Sequence, residues 1–270
     1  MKKAFDFLGR YLLSIAANVW ISLLGLFPRY REACYEAGYR LGWRKRPLHD
    51  DGMPPRDIPA VELKSLVRVP APVSMLEPDA ANGNVTEWEL FCIAQLVANH
   101  KPSACFEIGT FDGRTALNMA ANMAEDGHVF TLDLPPSGLD STALKIARGD
   151  ESFIKKEASG TRFKDSAYAH KITQLWGDSA TFDYTPFAGK MDLVFVDGSH
   201  SYDYVKKDTE TALKLLKPEG GIILWHDYGS RYWKDLTRAM NELYAGTPVF
   251  SSMVNVQGSF LVLTRIGSVS

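Results

Sequence analysis

Two short runs place carboxylates and imidazoles at spacings that suit chemistry: Val196-Asp197-Gly198-Ser199-His200-Ser201-Tyr202 and Trp225-His226-Asp227-Tyr228. Each closes a near-continuous apolar stretch, Met191 to Asp197 and Gly221 to Asp227, the pattern of strands buried on both faces of a parallel sheet. Between them Val205, Thr209, Ala212, Leu213 and Leu216 keep helical spacing, so the piece reads as a βαβ unit. Neighbouring strands lie about 4.8 Å apart, which lets Asp197 and Asp227 share one hard cation. His226 then either fills the ion's coordination shell or orients Asp227. His200, at the start of the next helix, is the candidate base for removing a proton from a weak nucleophile. A metal-free site in which His200 or Asp197 alone takes the proton is the alternative. A single acid at a strand end ordinarily caps the following helix, and the pairing is what argues for more.

A second constellation lies upstream. Phe106-Glu107-Ile108-Gly109-Thr110-Phe111-Asp112-Gly113-Arg114-Thr115 joins a short apolar strand to a helix start through two glycines behind an acid. Glycines there let helix N-terminal amides approach a ligand carboxylate or phosphate. Glu107 on the strand end repels a pyrophosphate but suits an ammonium or sulfonium. The spacing is not the Gly-x-Gly-x-x-Gly of dinucleotide binders, which disfavours a nicotinamide-dependent oxidoreductase. Gly127-His128-Val129-Phe130-Thr131-Leu132-Asp133 reads as a neighbouring strand whose terminal acid is placed for ribose hydroxyls. A third, Lys171 to Ser179, ends in Gly177-Asp178-Ser179.

In this order, the motifs resemble those of the class I S-adenosylmethionine-dependent methyltransferases, whose first motif is acid-x-Gly-x-x-x-Gly. The strand-end acids resemble the metal-assisted O-methyltransferases of the cephalosporin hydroxylase and macrocin type. The likeness runs from about Asn82 to Arg265. It implies an α/β fold with a Rossmann-like, seven-stranded, mostly parallel sheet and helices on both faces, closed by an antiparallel pair at Pro248 to Val254 and Ser259 to Arg265. It implies S-adenosylmethionine bound by Glu107, Gly109, Thr110, Gly113, Thr115, Asp133, Asp178 and Ser179, the last two bordering adenine. It also implies Mg2+ on Asp197, Asp227 and His226, and a small-molecule hydroxyl, of a sugar or polyketide, as methyl acceptor. His226-Asp227 departs from the two successive acids that such enzymes often show. A membrane-tethered S-adenosylmethionine-binding module without catalysis is the reading outside enzymology.

At 270 residues and 46% hydrophobic, the chain can bury one large α/β core plus an appendage. A formal net charge of -2 provides no basic field for nucleic acid. Cys34, Cys92 and Cys105 lack metal spacing and suit a reducing, cytoplasmic setting. Residues 1–46 read as an apolar and basic helical segment. In residues 5–27, Phe5, Leu8, Leu12, Ile15, Val19, Leu23 and Leu26 oppose a stripe of Asp6, Arg10, Ser14, Asn18 and Ser22. This predicts either peripheral or single-span contact with the cytosolic face of a membrane, or burial at a protein interface such as a homo-oligomer's. Residues 47–82, rich in proline, read as an extended linker wrapping the core. The domain proper spans 83–270. Thr86-Glu87-Trp88-Glu89 is a capping box, and Asn82-Gly83-Asn84 before it reads as a turn. The insertion at about 135–170 is too long for an ordinary connection and suits a lid carrying Phe153, Ile154, Lys155, Arg162 and Phe163.

Overall fold

Five parallel strands carry the chemistry-bearing motifs, and alternation along them explains the layers. In the computed structural model, which describes residues 52–67, 69–156 and 158–267, the strands are β1 (Ala60–Val61), β2 (Ala104–Ile108), β3 (His128–Asp133), β4 (Ile172–Trp176), β5 (Leu193–Val196), β6 (Gly220–Trp225), β7 (Val254–Val256) and β8 (Val262–Gly267). They form one sheet in the order β1-β7-β8-β6-β5-β2-β3-β4. All pairings are parallel except those of β8 with β6 and β7. Cys105, Val129, Leu193, Phe195, Ile222 and Leu224 face one side. They pack against α1 (Glu87–His100) and α2 (Arg114–Asn122). The intervening Phe106, Ile108, Val194, Val196, Ile223 and Trp225 face α5 (Tyr202–Leu215) and α6 (Lys234–Gly246) on the other. Both faces are therefore covered, as a parallel sheet requires.

The sheet has eight strands rather than the expected seven. The extra one is β1, from the stretch expected to be extended linker. Its backbone pairs with β7 through Asn255 N–H to Pro59 O and Gln257 N–H to Val61 O, both 2.8 Å. The same stretch is tied down elsewhere. Ala71 exchanges two hydrogen bonds with the Gln95 amide, Leu76 two with Asn118, and the fully buried Arg114 side chain donates to Glu77 O, Pro78 O and Val85 O. The closing antiparallel pair also begins later than expected, because Pro248–Phe250 makes a 3-10 turn with proline at its first position. The capping box stands as expected: Thr86 Oγ1 accepts from Glu89 N, and the Glu89 carboxylate accepts from Thr86 N at 2.8 Å.

The insertion is folded. It holds a 3-10 turn at Pro136–Ser141 and the single turns α3 (Glu151–Ile154) and α4 (Thr161–Lys164). Cys92 and Cys105 are buried free thiols. Among the described residues, no helix is long and apolar enough to cross a membrane. The apolar segment at 5–27, its contacts, and Cys34 lie outside the described residues.

Candidate active site

The chain reverses its direction of travel across the sheet between β2 and β5, the point at which ligands bind in open α/β sheets. The ladder there continues one residue past the strands: Asp197 N bonds Ile108 O at 2.8 Å, Gly109 N bonds Leu132 O at 2.8 Å, and His226 N bonds Val196 O at 3.2 Å. One edge thus gathers Gly109, Asp133, Asp197 and His226. Asp197, His226 and Asp227 each direct a ligand atom into a common space, all within 4.8 Å of one another. His226 Nδ1 lies 3.2 Å from Asp197 Oδ1 and 3.4 Å from Asp227 Oδ2. Asp227 has a φ of 65°, a left-handed backbone that strains a non-glycine residue and that tends to persist at functional sites. Burial opposes charge on Asp227, yet His226 and His200 outweigh it and hold its carboxyl well below the usual range. Burial likewise opposes charge on His226, but Asp227 and Asp197 raise it well above an ordinary histidine.

The other ring nitrogen of His226 faces Glu89, Nε2 to Oε2 at 3.3 Å. Glu89 is buried and fixed by Phe260 N at 2.7 Å besides its capping bonds. Burial works against its charge, but His226, with the amides of Phe260 and Thr86, holds it down to about 2. A carboxylate behind a histidine is the usual support of a metal-bound imidazole. The sequence marks Glu89 only as a helix cap, and its second partner lies 137 positions away.

His200 precedes α5 and stands beside this cluster, with Nε2 2.9 Å from Asp227 Oδ2. Its Nδ1 meets Asp150 Oδ1 at 2.7 Å, and Trp233 stacks parallel to the ring at 4.0 Å and 8°. Burial alone discharges an imidazole, but the bonds to Asp150 and Asp227 prevail and push His200 up to about 10. Nothing in sequence spacing singles out Asp150 or Trp233.

The glycine loop serves its own chain first. Gly109 and Gly113 have φ of 101° and 88°. A Cβ on Gly109 meets Asp197 O at 2.0 Å, and one on Gly113 meets the Phe163 ring at 2.4 Å. The first glycine lets the loop abut the acid-bearing turn, and the second seats the insertion. Glu107 does not lie open at the loop: it is 1% exposed and accepts from Thr131 Oγ1 at 2.5 Å. Burial raises its carboxyl well above normal. Thr110 bonds Thr131, Oγ1 to Oγ1, at 2.6 Å, and Thr115 is buried in the first turn of α2. Asp133 is capped by the insertion, with Ser159 Oγ at 2.5 Å and Lys156 Nζ at 2.7 Å from its Oδ2. Asp178 accepts from Ala143 N, Ala180 N and Tyr204 OH, while Ser179 accepts Tyr184 OH through its carbonyl. Arg162 bonds Asp112 at 2.7 Å, and Phe153 packs edge-on to Phe111 at 5.8 Å. The insertion therefore lies over the loop. Asn82-Gly83-Asn84 makes a turn, with Asn84 Nδ2 donating to Asp112 at 2.9 Å.

Residues 106–228 match the family model of a methyltransferase domain. The chain is similar in structure to the SAH-bound methyltransferase PaMTH1 of Podospora anserina, at 17% identity and a TM-score of 0.51, covering 69% of this chain and 80% of that one. It is also similar to the O-methyltransferase TomG from Streptomyces achromogenes, in complex with SAM, at 19% identity and a TM-score of 0.48, covering 78% of this chain and 92% of that one. No protein of curated function matches the sequence.

Proposed function

We infer that this chain is a class I S-adenosylmethionine-dependent methyltransferase that transfers the methyl group to a hydroxyl oxygen of a small molecule, a reading supported by the match of residues 106–228 to a methyltransferase domain. The observation that carries this reading is the convergence of Asp197, His226 and Asp227 beside the glycine loop. A hydroxyl is a weak nucleophile toward a sulfonium methyl, and its pKa must fall or its proton must leave as the bond forms. The donor set suits a divalent cation such as Mg2+: two carboxylates and an imidazole whose far nitrogen is backed by Glu89. When bound, such an ion supplies Lewis-acid polarisation of the acceptor oxygen.

The chain's own residues do the rest. His200, held as an imidazolium by the carboxylates on its two ring nitrogens, keeps Asp227 aimed at the cluster through Nε2, and the acceptor's proton leaves to Asp197. Trp233, stacked on His200, fixes the ring plane and excludes water from that side. Gly109, packed on the Asp197 carbonyl, fixes the glycine loop against the acid-bearing turn, so the methyl donor and the acceptor oxygen meet at a set distance. Turnover of labelled S-adenosylmethionine against metabolite extracts, with and without chelator, tests the proposal. Incorporation of label should fall at least tenfold in excess EDTA and return with Mg2+. Undiminished transfer in EDTA removes the metal, and no transfer to any extract removes the enzyme reading.

The contacts on Asp133 yield a second expectation. A ribose reaching that acid competes with Lys156 and Ser159 for the same oxygen. Lys156→Ala should therefore tighten binding of S-adenosylmethionine by up to about tenfold in calorimetry. Weaker binding would mean that Lys156 touches the cofactor instead of guarding its place.

A further inference from the structure

The turn that carries Asp227 is left-handed at Asp227 and again at Gly229, with φ of 65° and 80°. Such a backbone persists at an aspartate only where its surroundings over-determine it. Main-chain ties supply part of that constraint. Tyr228 N donates to Phe260 O at 3.0 Å, Ser230 N to Asp227 O at 3.1 Å and Gly229 N to Thr237 Oγ1 at 2.9 Å. A further tie comes from the segment before β1, 170 positions away in sequence. The fully buried Tyr228 hydroxyl donates to Asn241 Oδ1 on α6 at 2.7 Å and accepts from Ile58 N at 3.0 Å. Asn241 Nδ2 in turn donates to Pro55 O at 2.7 Å. Pro55, Asn241, Tyr228 and Ile58 thus close a loop of hydrogen bonds around the far end of the residue that follows Asp227. Arg56, within the same segment, donates to Gly229 O at 3.3 Å, and a Cβ on Gly229 would stand 1.8 Å from its Nε. A phenylalanine ring would fill the space that the Tyr228 ring fills. What tyrosine adds is the two bonds at its tip.

We propose that Tyr228 is a positioning residue of Asp227: anchored at its hydroxyl by Ile58 and Asn241, it keeps the preceding carboxylate aimed into the cluster with Asp197 and His226. This rests on the reading that the cluster takes a divalent cation. Relaxing Asp227 to an extended backbone would relieve its strain, but the same rotation would carry the neighbouring tyrosine with it. With the phenol pinned on two sides, that rotation costs two buried hydrogen bonds. The contacts of Asp227 with His200 and His226 act on its carboxylate and leave its backbone to these other ties. Residues 55–58, which offer no ligand of their own, are therefore part of what builds the site.

The test is Mn2+ binding to the full-length chain, read by electron paramagnetic resonance without acceptor or cofactor, so that it does not depend on turnover. Tyr228→Phe and Asn241→Ala should each weaken Mn2+ binding about tenfold. The double variant should lose no more than either alone, because both substitutions release the same anchor. Asn118→Ala, which loses two bonds to Leu76 from α2, controls for lowered stability and should bind Mn2+ as wild type does. Unaltered Mn2+ affinity in Tyr228→Phe overturns the proposal. So does an equal loss in Asn118→Ala, which would mark the effect as one of stability, and so do losses that add in the double variant. If wild type binds no Mn2+, the cation reading fails, and a crystal structure of Tyr228→Phe decides the positioning role by itself. An Asp227 that keeps its left-handed backbone and its contacts with His200 and His226 overturns that role, and a turn relaxed to extended backbone upholds it.

Discussion

Asp227→Asn is expected to lower methyl transfer about 1000-fold and to erase any response to Mg2+, with cofactor affinity near wild type and a lowered melt, since two buried imidazoles lose their shared carboxylate. Asparagine is among the residues that best tolerate a left-handed backbone, so the φ of 65° at this position is kept at little cost. What goes is the charge. Asp227 bridges His200 and His226 and is one of the three ligands that converge. A loss of about 1000-fold is about 4 kcal/mol in the barrier, of the size expected when a preorganised electrostatic contact to the reacting oxygen is removed. Steady-state kinetics across a Mg2+ series, beside a thermal melt, provide the measurement. A variant that keeps both its rate and its Mg2+ response would discard the arrangement.

Arg114→Ala should cost about 3–5 kcal/mol in urea unfolding. The guanidinium is wholly buried and donates to three main-chain carbonyls of the segment before α1, at 2.6, 2.7 and 2.9 Å. Removing it leaves the buried Val85 carbonyl and the part-buried carbonyls of Glu77 and Pro78 without this donor. Arg114→Lys should rescue little, because a single ammonium cannot span three carbonyls that a planar fork reaches at once. Since a domain is stable by about 5–15 kcal/mol, the alanine variant should unfold near physiological temperature. A loss under about 1 kcal/mol would show that the segment detaches without consequence.

Parts of this arrangement are legible in the sequence for a physical reason. Strands β5 and β6 are apolar on every residue because both faces are covered, and a run so short and so apolar suits little but a central strand. The glycine loop stands out because strand, turn and helix each leave their own signature within ten residues. The runs overshoot the strands: Met191 to Asp197 contains Leu193–Val196, since the chain bends away at the end that carries the acid. Strand β1 is invisible, because two residues among prolines have no pattern and become a strand only by pairing with β7. Asp150 and Lys156 are invisible for a different reason. They act across 50 and 23 positions respectively, on partners chosen by how the insertion folds back. Glu89 is visible but only half legible, since capping a helix is reason enough for an acid at that position.

Strand β1 also bears on how the protein keeps to itself. Without it, β7 would be the last strand of the sheet and would offer the main-chain groups of Val254–Val256 to any other chain. Two residues, Ala60–Val61, take up those groups. They are too few, and Pro59 lies too close, for the new border to be an equally good template. A fragment beginning at Asn82 would lose that cover along with two of the three acceptors of Arg114, the carbonyls of Glu77 and Pro78. It would tend to associate edge to edge in solution, a failure easily mistaken for a native oligomer.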